Sequence, residues 1–180
     1  MMKSIPVWKQ ELSGGTHAAR LASLYCCAPA ETASEAARYA AVLDGLEKTF
    51  GPHAEAGLYS APGRTEIGGN HTDHQHGRVL AGSVNIDMIA AAGPNTLGQL
   101  RVQSEGYDLC VIDLNDLAAR KEEENTSAAI LRGECEAFRQ RGAKLSGLDV
   151  IKNVVVILVC MAVGTVISVS YTHLRAHETL

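Results

Sequence analysis

Residues 61–80 read APGRTEIGGNHTDHQHGRVL, and the organisation of the chain is best understood from this stretch outward. An arginine, two adjacent glycines and a run of short polar side chains stand between two segments typical of strands. Glycine permits positive φ and lets a backbone approach a ligand closely. Asn70, His71 and Asp73 add an amide, an imidazole and a carboxylate. The composition predicts a binding loop over residues 63–73.

These polar groups suit a sugar ligand, because each sugar hydroxyl both donates and accepts hydrogen bonds. Two other interpretations stay open on the residues alone. His71, His74 and His76 with Asp73 offer the ligand types that zinc prefers. A stretch rich in glycine and asparagine is also typical of an exposed turn, and Arg64 would then form no more than a surface ion pair.

Two helices are predicted on either side of a group of strands. Residues 32–51 open with Thr32 and Glu35, which match a capping box. Apolar side chains then recur at helical spacing, at Ala36, Ala40, Leu43, Leu46 and Phe50. Residues 125–142 predict a second helix closed by Gly142, with one face lined by Ile130, Leu131, Cys135 and Phe138.

Short runs of β-forming residues lie between the helices, at 58–60, 78–83, 87–92, 100–104 and 109–114. Turn clusters separate these runs. The order of helix, strands and helix predicts an α+β lobe with a mixed or antiparallel sheet and flanking helices.

The overall composition is that of a globular protein, with 46% hydrophobic and 20% charged residues and a net charge of -4. A mildly acidic chain lacks the basic surface that nucleic-acid binding requires. Its start has no apolar leader segment, and its five scattered cysteines suit reduced thiols, so the cytoplasm is the predicted compartment.

The end of the chain differs from the rest in character. Residues 153–169, NVVVILVCMAVGTVISV, are almost continuously apolar, which raises a membrane anchor as an alternative. A spanning helix needs about 20 apolar residues, and this run is shorter and rich in β-branched side chains. Residues 169–180 resemble the in-frame translation of a sequencing-library adapter. We therefore predict a lobe at 1–150, a divergent apolar segment at 151–168 that is either degraded or frame-shifted coding sequence, and an artefact at 169–180.

The motif at 61–81 resembles the galactokinase signature GRxNLIGEHTDYxxGxVLP. The positions in register are Gly63, Arg64, Gly69, His71, Thr72, Asp73, Gly77, Val79 and Leu80. The resemblance extends over about residues 15–150, including the segments LRVQSE, NTSAAILRG and SGLDV. The chain departs from the family's pattern at Glu66, Asn70, His74 and Ala81, where the family has asparagine, glutamate, tyrosine and proline.

This resemblance implies the N-terminal lobe of a GHMP kinase, incomplete in this chain, whose parent transfers the γ-phosphoryl group of ATP to the anomeric hydroxyl of α-D-galactose with Mg²⁺. Arg64 then matches the arginine beside the reacting hydroxyl. The sugar hydroxyls are held by Asn70, His71, Thr72 and Asp73, and the nucleotide is contacted by Ser104. A non-catalytic relative that senses galactose is the alternative function.

In the family, the strand resembling SGLDV leads to a phosphate-binding loop resembling GLSSSA. Residues 151–168 read IKNVVVILVCMAVGTVIS and offer a single glycine and few hydroxyls. The family's magnesium ligands and catalytic aspartate lie further on and have no counterpart in this sequence. The chain is therefore predicted to be catalytically inactive.

We expect the purified 180-residue chain to show no galactose-dependent turnover of ATP, because it lacks the backbone cradle that aligns the phosphates. ADP release with and without galactose measures this, and the Asp73→Ala variant sets the background. Turnover above that background would contradict the prediction.

Overall fold

The computed structural model describes residues 2–69 and 77–152. Three helices come first, four strands follow, and a fourth helix precedes the last strand. The helices are α1 (Ile5–Ser13), α2 (Ala18–Tyr25), α3 (Ala33–Phe50) and α4 (Ser127–Gln140). The strands are β1 (Gly57–Gly68), β2 (Leu80–Pro94), β3 (Gln99–Ser104), β4 (Cys110–Asp113) and β5 (Leu148–Lys152).

The strands form a five-stranded sheet in the order β1-β2-β5-β3-β4. The last strand of the chain, β5, lies between two earlier ones, antiparallel to β2 and parallel to β3. β3 and β4 are antiparallel. Helix α3 contacts β5, and helix α4 contacts β4. The sheet is thus mixed and flanked by helices, which confirms the predicted α+β class.

The chain divides into two compact units. Among the described residues, the first comprises 2–59 and 89–152, and the second comprises 60–69 and 77–88. Within the second unit, the described residues 60–69 and 77–88 contain parts of the neighbouring strands β1 and β2. We call these residues the β-ribbon.

The hydrophobic core of the first unit forms between its helices and the sheet. Leu43 and Leu46 of α3 are fully buried, as is Ile89 of β2. The indole N–H of Trp8 donates a hydrogen bond of 2.8 Å to the carbonyl oxygen of Ala56, which joins α1 to the residue before β1. Burial of these side chains supplies the main favourable free energy of folding.

The predicted helix after Thr32 is confirmed, but the predicted capping box is wrong. The hydroxyl of Thr32 donates to the carbonyl oxygen of Pro29 at 2.8 Å and makes no cap hydrogen bond to the helix. Glu35 forms a salt bridge with Arg38. A 3₁₀ turn at Pro29–Glu31 leads directly into α3 and leaves Thr32 with helical dihedral angles. A capping side chain requires an extended backbone at that position.

The second predicted helix is also confirmed, and it begins with a side-chain N-cap hydrogen bond. The hydroxyl of Thr126 accepts a hydrogen bond of 3.3 Å from the backbone N–H of Ala129. At the other end, Gly142 has a φ of +83°, as expected of the glycine that closes a helix.

The predicted apolar face of α4 is wrong. Leu131 and Cys135 are half-buried, whereas Ile130 is 64% exposed and Phe138 is 57% exposed. The reason is Arg132, which is buried and forms a bidentate salt bridge with Glu123. Its Nε lies 2.7 Å from Oε2 of Glu123, and its Nη2 lies 2.6 Å from Oε1. Satisfying this guanidinium fixes the rotation of the helix.

Across residues 2–69 and 77–152, no helix is both long and apolar enough to cross a bilayer. The apolar run that raised the membrane alternative lies outside the described residues.

A buried carboxylate, Asp149 of β5, binds side chains from several parts of the first unit. Arg101 of β3 donates to both carboxylate oxygens, at 2.7 Å from Nε and 2.6 Å from Nη2. Asn95 donates to Oδ1 at 2.6 Å, and Nε2 of His53 lies 3.0 Å from Oδ2. We call these four side chains the Asp149 cluster.

Neighbouring groups hold the members of the cluster in place. The Arg101 guanidinium lies 4.8 Å from the centroid of the Phe50 ring, in cation–π contact. Nδ1 of His53 lies 3.0 Å from the carbonyl oxygen of Gly51. A side chain at Gly93 would overlap the His53 ring. The cluster therefore joins the end of α3, the β2–β3 connection, β3 and β5.

Burial raises the pKa of Asp149, but the hydrogen bonds from Arg101, Asn95 and His53 together lower it by more. The net pKa of the carboxyl lies below its ordinary value of 3.8. A carboxyl with a depressed pKa stabilises the fold above its unfolded-state pKa, and this contribution is lost as the pH falls through the folded-state pKa.

We expect Asp149→Asn to lower the free energy of unfolding at neutral pH by about 3 kcal/mol, because Arg101 loses its buried counter-charge. Below the unfolded-state pKa of about 3.8 the difference from wild type should shrink, since the wild-type carboxyl is then protonated in the unfolded chain. Urea unfolding over a range of pH measures both effects. Asp108→Asn, at an exposed position, is the matched control. If the difference in unfolding free energy between the wild type and Asp149→Asn did not change with pH, the depressed pKa of Asp149 would be contradicted.

Candidate functional site

The stems of the predicted binding loop are held side by side in the β-ribbon. Gly69 has a φ of +91°, and a Cβ atom there would lie 2.9 Å from Cα of Val79 and would overlap the carbonyl oxygen of Arg78. Only glycine fits this conformation and this approach. The chain that leaves β1 and the chain that enters β2 are thus in contact at the base of the loop.

The predicted loop over residues 63–73 is wrong in its first half, because Gly63–Gly68 belong to β1. A Cβ atom at Gly63 would lie 3.1 Å from both the carbonyl oxygen of Ile86 and Cγ2 of Val84. Glycine therefore serves close packing within the ribbon at this position. Of the glycines that suggested a loop, Gly63 and Gly68 lie in the strand, whereas Gly69 follows it.

Arg64 lies on β1 and is exposed. Among residues 2–69 and 77–152 it forms no salt bridge, so the alternative of a surface ion pair has no support from the described carboxylates. Its positively charged guanidinium is therefore carried by the strand that ends next to Gly69.

The predicted sugar-binding residues Asn70, His71, Thr72 and Asp73 lie outside the described residues, and so do His74 and His76. The sugar-binding interpretation and the zinc interpretation of this segment both remain predictions. In the described part of the chain, no group of three or more His, Cys, Asp or Glu side chains could hold a metal ion.

Ser104 is the last residue of β3 and is half-buried. Its carbonyl oxygen accepts hydrogen bonds from the side chain of Gln103 at 2.9 Å and from the backbone N–H of Tyr107 at 3.1 Å. These contacts fix the end of the strand and leave the hydroxyl for another partner to contact. Ser104 belongs to the first compact unit and Arg64 to the second, so each is described separately.

A buried acidic residue in the ribbon was not anticipated from the sequence. Asp87 of β2 is 4% exposed, and Ser60 donates a hydrogen bond of 2.5 Å to its Oδ2. The signal that could have found it is a single charge inside the otherwise apolar run IDMIAAA.

A cavity of about 370 Å³ lies near the C-terminal end of α4. Its lining residues are Gly98, Leu114, Asn115, Arg139, Ala143, Leu145 and Ser146. Because none of these was predicted to bind sugar or nucleotide, the cavity gives no support to a substrate site there.

The segment that contains the β-ribbon is similar to a known protein family. A family model described as the galactokinase galactose-binding signature matches residues 46–94, which contain α3's end, β1, the loop and β2. The matched segment thus includes Arg64 and all of the predicted sugar-binding positions.

Two curated relatives are galactokinases. That of Streptomyces coelicolor is 33% identical over 107 residues, which cover 58% of this chain and 27% of the relative. That of Lacticaseibacillus casei is 26% identical over 113 residues, which cover 62% of this chain and 29% of the relative. The chain therefore spans less than a third of the length of these relatives.

The fold matches as well. The crystal structure of Lactococcus lactis galactokinase complexed with galactose superimposes with a TM-score of 0.54 at 20% sequence identity, covering 61% of this chain and 29% of that structure. At this identity the likeness establishes the fold alone. Taken with the signature and the curated relatives, it confirms that the chain resembles the N-terminal part of galactokinases.

Proposed function

We propose that this chain is the galactose-binding part of a galactokinase, an enzyme that transfers the γ-phosphoryl group of ATP to the anomeric hydroxyl of α-D-galactose. The observation that carries the proposal is the signature match over residues 46–94. The ribbon geometry supports it, because Gly69 holds the two stems of the loop in contact. The predicted compartment is the cytoplasm.

Within this proposal, the loop binds the sugar. Asn70, His71, Thr72 and Asp73 provide amide, imidazole, hydroxyl and carboxylate groups that hydrogen-bond the sugar hydroxyls. A site that hydrogen-bonds a hydroxyl discriminates strongly against analogues in which that hydroxyl is missing or misplaced, because the site's own polar groups are left unpaired. Asn70 replaces the glutamate of the family's pattern, which leaves one formal charge fewer in the loop.

Arg64 is proposed to lie beside the reacting hydroxyl. Phosphoryl transfer depends mainly on alignment of the reactants and on neutralisation of charge at the phosphoryl oxygens. An exposed guanidinium with no salt bridge among the described residues remains available for that role. Ser104 is proposed to contact the nucleotide through its hydroxyl.

ATP and Mg²⁺ are the cofactors implied by the family. When bound, Mg²⁺ would neutralise phosphate charge, but the described residues contain no ligand set for it. We propose residues 1–150 as the galactokinase-like lobe, followed by a divergent segment at 151–168 and an artefact at 169–180. None of the observations favours a galactose-sensing relative without activity, since both curated relatives are named galactokinase.

The proposal predicts that the chain binds galactose and that Asp73→Ala weakens the affinity about tenfold or more, because a carboxylate hydrogen bond to the sugar is lost. Glucose, which differs from galactose only in the orientation of one hydroxyl, should bind correspondingly less well. Isothermal titration calorimetry measures these affinities.

The control for this experiment is Asp108→Ala, which removes an exposed carboxylate from the turn after β3. It should bind galactose as the wild type does. Equal affinities of the wild type and Asp73→Ala would remove the basis for placing the sugar at this loop.

A further inference from the structure

The outer strand of the β-ribbon has an open edge. Among the described strands, β1 is the outermost of the sheet and neighbours β2. Each residue of β1 from Arg64 to Gly68 is exposed. An outermost strand carries a row of backbone N–H and C=O groups that can pair with a further strand. The outer edge of β1 is therefore a surface to which another strand can be added.

Pro62 indicates which residues of β1 use this edge. Ser60 contacts Asp87 and Gly69 contacts Arg78, so β1 and β2 run antiparallel. Proline has no backbone N–H, and in a sheet it is placed where that position faces outward from an edge strand. Backbone groups alternate in direction along such a strand. The backbone groups of residues 64 and 66 therefore face outward, as those of Pro62 do.

One face of the β-ribbon is apolar. A Cβ atom at Gly63 would lie 3.1 Å from Cγ2 of Val84, and one at Gly82 would lie 3.6 Å from Cδ1 of Ile67, so these four residues share a face. Side chains alternate between faces along a strand. The large apolar side chains of this face are Ile67, Leu80, Val84 and Ile86. Ile67 is 67% exposed and Leu80 is 61% exposed, as is typical of a surface that contacts another protein.

The opposite face of β1 carries charges that suit pairing with a second copy. Arg64 and Glu66 are two residues apart and project from the same face. Both are exposed, and in the described part of the chain neither forms a salt bridge. In an antiparallel pair of two β1 strands with Thr65 facing Thr65, Arg64 of each copy lies opposite Glu66 of the other. Opposite charges directly across two strands stabilise their pairing.

The same register suits the backbone and the apolar face. It pairs residues 64 and 66, whose backbone groups face outward, so the two strands can form ladder hydrogen bonds. It also places Ile67 of each copy opposite Gly63 of the other. Because Gly63 has no side chain, Ile67 can lie over its backbone beside Val84. The two apolar faces then lie on the same side and form one continuous surface.

We infer that two copies of this chain associate through the outer edges of β1, in an antiparallel pair centred on Thr65. This contact is isologous, because each copy uses the same edge. The inference goes beyond the proposed function, since it assigns the β1 edge to a second copy and requires no sugar or nucleotide. An Arg64 guanidinium that faces a carboxylate of the second copy is withheld from the reacting hydroxyl. The pair is therefore a form of the chain separate from the one that would act on a sugar.

Sedimentation velocity of the full 180-residue chain over a range of concentrations tests the association. The average mass should rise with concentration from the 19.1 kDa of one chain to twice that value and no further, because an isologous pair closes on itself. A constant mass of one chain would overturn the inference, and it is the result expected if other residues of the chain cover the edge. A mass that grows beyond two chains would also overturn it.

Reversing the charges tests the register. Glu66→Lys should weaken the association about tenfold or more, since symmetry turns two attractions into two repulsions. Combining Arg64→Glu with Glu66→Arg restores opposite charges and should recover most of the affinity. Glu105→Lys makes the same charge change at an exposed position after β3 and should have no effect. An unchanged affinity in a folded Glu66→Lys chain would overturn the inference, and so would a double variant with no recovery.

Cysteine cross-linking tests the centre of the pair without altering its charges. Facing residues that are not hydrogen-bonded to each other have Cα atoms about 4.5 Å apart, a distance that a disulfide spans. Thr65→Cys should therefore link two copies when oxidised glutathione is added. Ala61→Cys, also exposed on β1, would face Gly69 of the second copy and should not link to itself. The wild type gives the background from the five native cysteines.

Mass spectrometry of the linked peptides identifies the bond. A dimer without the link between the two residues 65 would show that the copies meet at another surface and would overturn the inference. This measurement remains available if the charge variants fail to fold. The galactose titration with Asp73→Ala is independent of all these results, so their failure leaves the proposed function standing.

Discussion

The carboxylate of Asp149 is contacted by three side chains that lie 96, 54 and 48 residues away from it along the chain. A carboxylate that is 1% exposed must have such partners, because an unpaired buried charge would be strongly destabilising. The partners come from the end of α3, the β2–β3 connection and β3. The insertion of β5 between β2 and β3 therefore depends on a polar interaction as well as on hydrophobic packing.

A different constraint governs the ribbon. There the backbone itself sets the geometry, since Gly69 adopts a positive φ and leaves no room for a Cβ atom beside Arg78 and Val79. Asp87 and Ser60 add a hydrogen bond between the two strands. The signature match includes these residues, so the segment that matches the family model also contains this close backbone contact.

Sequence reasoning succeeded where the signal was local. Helical spacing and a closing glycine predicted α3 and α4, whereas α1 and α2 were not predicted. Both of those helices are short, and neither has a side-chain cap hydrogen bond. Helix α1 packs against a distant part of the chain, because Trp8 donates a hydrogen bond to Ala56, 48 residues away, and Tyr25 of α2 is hydrogen-bonded to Tyr39 of α3.

The incorrect predictions share one cause, which is that contacts between separate parts of the chain decided the structure. Glycines and polar residues at 63–68 indicated a loop, but pairing with β2 extends the strand β1 through them. The face of α4 was assigned from apolar spacing, but the salt bridge between Arg132 and Glu123 decides it. For the site, the motif predicts the loop and Arg64, which stay predictions, while the neighbourhood of Ser104 required the register of β3 with β5. Such non-local pairings leave no periodic signal in the sequence.

The alternation of side chains along β5 links the Asp149 cluster on one face of the sheet to the neighbours of Ser104 on the other. Asp149 and Lys152 are three residues apart, so they project from opposite faces of the sheet. Arg101 is the register partner of Asp149, and their paired hydrogen bonds fix this alignment. A slip of one residue would place Asp149 on the wrong face and would also remove Lys152 from the face of Ser104. The buried ion pair on one face thus determines which side chain of β5 is the neighbour of Ser104 on the other.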